Sequence, residues 1–161
     1  MTTIRTARTY DAQAIAELGG QLGYAATRQQ IATRLAGIES EPASRVIVAE
    51  DNNGRVVGWL HVAARTQLTE DACAEVLGLV VDEPARGAGI GDALLRAAED
   101  WARSTGCVRV RVRSVRYAAH DSPHARIRAE RISEFRRARD VPQREIGAPA
   151  RCQPADLALD A

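Results

Sequence analysis

The chain contains no lysine; all 22 of its basic residues are arginine. A phosphate-binding loop of the Gly-Lys-Ser or Gly-Lys-Thr type is thereby excluded, because that chemistry needs the lysine ammonium. Cysteine is scarce: Cys73, Cys107 and Cys152 lie far apart and form no Cys-x-x-Cys pair. They read as reduced thiols of a cytoplasmic protein, not as a disulfide frame or a zinc site. His61, His120 and His124 are not clustered with other ligands either, so no metal is expected. No stretch approaches the roughly 18 uninterrupted apolar residues of a spanning helix. Met1-Thr2-Thr3-Ile4-Arg5 lacks the apolar segment of a signal peptide, so no membrane partner is expected. A net charge of +1 gives no general attraction to nucleic acid. What is present, 161 residues at 45% hydrophobic and 27% charged, suits one globular domain with a sizeable core.

The most informative segment is Arg86-Gly87-Ala88-Gly89-Ile90-Gly91. It follows the apolar run Val76-Leu77-Gly78-Leu79-Val80-Val81 and the acidic turn Asp82-Glu83-Pro84. It precedes a helical pattern with apolar residues at Ile90, Leu94, Ala98 and Trp101. A strand, a glycine-rich loop and a helix in that order make an anion site. Backbone N–H groups at the helix start lack intrahelical acceptors, and the macrodipole adds partial positive charge. Glycines let the backbone close on a phosphate, and Arg86 adds a forked cation. A dinucleotide fingerprint fits poorly: the loop lies five residues past Val81 and reads Gly-x-Gly-x-Gly.

Along the chain, Ile4 to Arg8 is a short candidate strand. A helix capped by Thr9 or Asp11 follows, with Ile15 and Leu18 inward. Thr27-Arg28-Gln29-Gln30 reads as a capping box for a second helix carrying Ile31, Leu35 and Ile38 on one stripe. Arg45 to Glu50 and Arg55 to Val62 flank Asp51-Asn52-Asn53-Gly54, a hairpin turn. Ala74 to Val81 is nearly continuous in apolar residues and is expected to be buried on both faces. A long helix from about Ala88 to Thr105 is stopped by Gly106. Residues 108–113 alternate valine and arginine, which predicts a strand whose arginines form a solvated face. Trp59 and Trp101, at apolar positions, are expected in the core.

The stretch from Leu79 to Leu95 closely resembles the acetyl-CoA motif of the GNAT superfamily of N-acetyltransferases, and the resemblance covers roughly residues 2–115. It implies an α/β fold, a mixed and mostly antiparallel sheet flanked by helices, with residues 1–115 as the acetyltransferase core. It implies acetyl-CoA as cosubstrate. Arg86, Gly87, Ala88, Gly89, Ile90 and Gly91 would hold the pyrophosphate, and the backbones of Leu79, Val80 and Val81 would lie along the pantetheine arm and thioester oxygen. The reaction would be transfer of acetyl to a primary amine of an acceptor expected to be a small molecule, in a bacterial cytoplasmic enzyme. A homodimer is allowed for. Gln21-Leu22-Gly23-Tyr24 also resembles members that acetylate small amines.

Glu75, at the start of the central strand, is the candidate catalytic base, with cationic-substrate binding or a solvated strand end as the alternatives. Period-two alternation would place Glu75, Leu77, Leu79 and Val81 along one side. The tyrosine pattern by which the family protonates the departing thiolate is absent. Tyr117 is a weak substitute, and His120 and His124 read as loop histidines.

After Val115 the character changes: residues 116–161 hold four of the six prolines and lack a β-branched run for further strands. The family's C-terminal strands are expected to be missing or replaced. A helix over 123–139 anchored by Ile127, Ile132 and Phe135 is expected, with the remainder poorly ordered. Either this tail is a native variant, or the reading frame shifted near codon 115, since out-of-frame GC-rich codons yield Arg-, Ala- and Pro-rich peptide. The rival functional class is accordingly a catalytically impaired acyl-CoA-binding or interaction protein.

Overall fold

The computed structural model describes residues 1–112 and the backbone of residues 132–134. The elements are β1 (Thr3–Thr6), α1 (Ala12–Gly20), α2 (Arg28–Glu39), β2 (Ser44–Glu50), β3 (Val56–Arg65), β4 (Cys73–Val81), α3 (Ile90–Ser104), β5 (Arg109–Val112) and β6 (Ile132–Glu134). The strands form one sheet in sequence order, β1-β2-β3-β4-β5-β6. All neighbours pair antiparallel except β4 and β5, which are parallel. Parallel neighbours need a crossover, and α3 supplies it.

Helices cover both faces. On one, Ile90, Leu94, Ala98, Trp101 and Ala102 of α3 pack on Ile47, Leu60, Val62, Val76 and Val110. On the other, Ile15 and Leu18 of α1 and Leu35 of α2 pack on Val46, Val48, Val56 and Val80. Trp101 is buried with α3, whereas Trp59 is only partly buried, against the second cluster. The α2 capping box is present: Gln30 N–H donates to Thr27 Oγ1 at 3.2 Å, and Thr27 N–H donates to Gln30 Oε1 at 2.9 Å. In the hairpin turn, Asp51 Oδ1 accepts from Asn53 N–H and Arg55 N–H, both at 2.9 Å.

The start of α1 departs from expectation, because neither Thr9 nor Asp11 caps it with a side chain. The Asp11 carboxylate instead accepts from Arg8 N–H at 2.8 Å and from both terminal nitrogens of Arg5 at 2.8 and 2.9 Å. The Arg5 fork and the Arg8 N–H together hold that carboxylate away from the first turn of α1.

β4 carries a second correction. His61 of β3 pairs with Gly78, but the next residue, Val62, pairs with Val76, so Leu77 is an inserted bulge residue. The bulge reverses the alternation. Ala74 and Val76 face α3 before it; Leu79 and Val81 face α3 after it, while Val80 faces α1 and α2. Glu75 therefore lies on the opposite face from Leu79 and Val81, not beside them. Nor is the strand buried throughout, since Leu77 is 46% exposed.

At the far edge, residues 132–134 are a short strand antiparallel to β5, where the sequence predicts helix. Pairing there satisfies backbone groups that β5 would otherwise leave open, and three residues carry too little periodicity to announce it. The rest of the expected helix 123–139 and the remaining tail lie outside the described residues.

Candidate active site

The turn after β4 is set by its first residue. Asp82 N–H donates to Val57 O at 2.8 Å, which fixes the end of β4 against β3. Backbone groups of successive strand residues point to alternate sides, so Val80 also addresses β3, and Leu79 and Val81 address the other side. On that side β5 pairs with β4 only from Cys73 to Val76, so among the described residues nothing pairs with β4 from Leu77 to Val81. Arg86 confirms the direction, because its Nε donates to Val81 O at 3.0 Å.

Residues Glu83–Ala85 form one 3-10 turn, with Ala85 N–H donating to Asp82 O at 2.9 Å. The chain then passes through Gly87 at φ +84° and Gly89 at φ +77°, left-handed conformations that side chains resist. A Cβ at either would meet nothing within 4 Å. The glycines thus leave open space over the loop instead of filling a packed niche. Gly89 is the N-cap of α3, offers no capping side chain, and accepts the first intrahelical bond, from Ala93 N–H, at 3.0 Å. The start of α3 therefore presents uncapped backbone donors and the positive end of a 15-residue dipole to open space. The exposed Asp92 in the first turn favours the helix but opposes an anion there.

One buried cluster borders this loop, and a second, half-buried one lies farther back along β4. Asp82, only 4% exposed, accepts from Gln21 Nε2 on Oδ1 at 2.8 Å and from Arg55 Nη2 on Oδ2 at 2.7 Å. Glu75 sits on the α1/α2 face, half-buried, with Arg65 Nε 3.4 Å from its Oε2. Its parallel register partner is Arg111. The arginines of β5 are not a solvated face: the side chains of Arg109 and Arg111 are 24% and 26% exposed, and both ion-pair with Glu70. On the same face His61 Nε2 lies 2.9 Å from Ser44 Oγ. Burial lowers the His61 pKa, against a weaker opposite pull from Glu41.

Of the residues singled out in sequence, Leu79 to Val81 and Arg86 to Gly91 thus form one continuous lip at the open edge of β4. Glu75 lies across the sheet plane and on the order of 10 Å back along the strand. Tyr117, His120 and His124 lie outside the described residues. Sequence reasoning named Gln21 only within the Gln21–Tyr24 resemblance, and passed over Arg65 and the Ser44–His61 pair as site neighbours. Their partners are remote in sequence, and no local spacing marks them.

The sheet order and the crossover helix agree with what the comparisons return. A sequence profile of the acetyltransferase (GNAT) family matches residues 12–122. The chain belongs to the GNAT acetyltransferase family. One curated relative, an aminoglycoside N(6')-acetyltransferase type 1 from Klebsiella aerogenes, is 35% identical over 83 residues, 50% of this chain and 54% of that protein. The chain thus spans about half the length of that relative. Among solved structures, glucosamine-6-phosphate N-acetyltransferase from Arabidopsis thaliana superposes with a TM-score of 0.66 at 22% identity, over 72% of this chain and 84% of that one. An aminoglycoside antibiotic 6'-N-acetyltransferase from Acinetobacter baumannii gives 0.64 at 15% identity, over 73% and 82%. At such identities the structural likeness establishes the fold. Among the described residues no group of His, Cys, Asp and Glu is arranged to hold a metal, and no helix is long and apolar enough to cross a membrane.

Proposed function

We propose that the chain transfers an acetyl group from acetyl-CoA to a primary amine of a small-molecule acceptor. One observation carries the reading: the loop 86–91, uncapped at the start of α3, adjoins a length of β4 whose outward backbone groups lack a strand partner among the described residues. Such an edge offers hydrogen bonds to an extended amide-bearing arm, as an added strand would. The helix start suits the pyrophosphate that ends that arm. The residues present fit coenzyme A: Arg86 and the N–H groups of residues 87–91 for the pyrophosphate, and Leu79 and Val81 backbone for the pantetheine amides. Bound acetyl-CoA supplies the thioester. Holding it against the acceptor supplies much of the acceleration, because reactants in register avoid the entropy of encounter.

Glu75 is the proposed base or ammonium anchor. Because the bulge sets it across the sheet plane from the Leu79 and Val81 side chains, it addresses the acceptor from the α1/α2 face, and proton transfer passes through water. Arg65 competes with a substrate ammonium for the same carboxylate. The family's aminoglycoside relatives support a small amine as acceptor. A thiol-release assay across aminoglycosides, amino sugars, polyamines and amino acids tests the reaction. Turnover of one class supports it; coenzyme binding without turnover of any amine favours a non-catalytic acyl-CoA-binding protein.

A further inference from the structure

Asp82 and Gln21 are 61 positions apart, and their contact joins the turn after β4 to the end of α1. Gln21 is the residue at which α1 ends. Its amide grips the start of the glycine-rich loop twice: Nε2 donates to Asp82 Oδ1 at 2.8 Å, and Oε1 accepts from Glu83 N–H at 3.3 Å. Arg55, beyond the β2–β3 turn, holds the other Asp82 oxygen. Each oxygen of the buried carboxylate thereby accepts from a side chain of a separate segment.

The segment that follows Gln21 is braced on its own helix. Gly23 N–H donates to Gly20 O at 3.0 Å, and Tyr24 N–H donates to Gly19 O at 3.1 Å. It presents Leu22 at 38% exposure and Tyr24 at 58%, an apolar surface beside the lip. The one side-chain amide of Gln21 thus connects the 82–83 turn to the segment that follows α1.

We propose that Gln21 and Asp82 are positioning residues that couple the coenzyme loop to the 21–27 loop. When coenzyme fixes residues 86–91, the Gln21 clasp holds 21–27 in the arrangement that receives the acceptor. This rests on the coenzyme reading above and goes beyond it, since that reading assigns neither residue to the coenzyme site.

Hydrogen exchange tests the coupling with coenzyme A as the only probe, in the full chain and in Gln21→Met. Gln21 is exposed, so the near-isosteric methionine removes the clasp without opening the core. Saturating coenzyme A is expected to slow amide exchange across residues 21–27 about fivefold or more in the wild type, and less than about twofold in Gln21→Met. Coenzyme affinity, by calorimetry, is expected to stay within about threefold between the two. Gln21→Glu, which sets a carboxylate against Asp82, is expected to behave like Gln21→Met. Equal slowing in wild type and variants, or none in wild type with coenzyme bound, overturns the coupling while the coenzyme reading stands. Failure of the wild type to bind coenzyme A overturns both.

Discussion

Replacing Asp82 by alanine removes the buried carboxylate on which three segments meet. The cost follows from what each partner does afterwards. Gln21 Nε2 and Arg55 Nη2 lose hydrogen bonds of 2.8 and 2.7 Å to a charged acceptor. Bonds of that kind contribute about 1.5–3 kcal/mol each when both groups are shielded. The Arg55 side chain, however, is 67% exposed, so its ion pair is screened and adds at most about 1 kcal/mol. Once released, both partners rehydrate, and no charge is stranded in the interior. The expected loss is thus about 2–3 kcal/mol, well below the larger penalties of breaking a fully buried pair. Equilibrium urea unfolding, with the slope m unchanged, reads it directly. Arg55→Gln is expected to cost less than about 1 kcal/mol. A loss below about 0.5 kcal/mol for Asp82→Ala, or a larger loss for Arg55→Gln than for Asp82→Ala, would refute this reasoning.

Glu75→Gln is expected to lower kcat by about 100-fold, with coenzyme affinity unchanged. Unchanged turnover would remove Glu75 from the mechanism. Asp92→Ser is expected to tighten acetyl-CoA by about two- to fivefold, because a like charge leaves the anion's end of α3; calorimetry checks it. His61 predicts a pH dependence. Its folded pKa lies below the ordinary histidine value of 6.5, so the unfolded chain binds the proton more readily. Stability contributed by neutral His61 is complete above about pH 6.5 and is lost as pH falls through the folded value. The difference between unfolding free energies of wild type and His61→Gln, plotted against pH, should slope in that window and be flat above it.

Legibility in the sequence followed the range of the interactions. The α2 capping box, the Asp51–Gly54 turn and the amphipathic α3 are set by residues within a few positions of one another, and each stands where spacing put it. The glycine-rich lip was legible for the same reason. The β4 bulge was not, because one inserted residue is defined only by the register of β3 against β4, and it decides the face on which Glu75 stands. The loss of a side-chain cap at α1 has a similar origin: Arg5 claims the Asp11 carboxylate from an adjacent strand. Strict alternation in β5 gave the faces correctly but not the burial of Arg109 and Arg111, which depends on Glu70 from the β3–β4 loop. The Gln21–Asp82 clasp joins residues that no periodicity connects.

The central claim is that residues 86–91 at the start of α3, with the open edge of β4, bind acetyl-CoA. Isothermal titration of acetyl-CoA into the wild type and into Gly89→Asp tests it most directly. The variant places a carboxylate at the helix N-cap and a side chain on a residue at φ +77°, where a Cβ has open space but a strained backbone. The account predicts saturable one-site binding by the wild type. For Gly89→Asp it predicts affinity at least about 100-fold weaker, with the circular dichroism of a folded chain retained. No saturable binding by folded wild-type protein, or equal affinity in the variant, would contradict it.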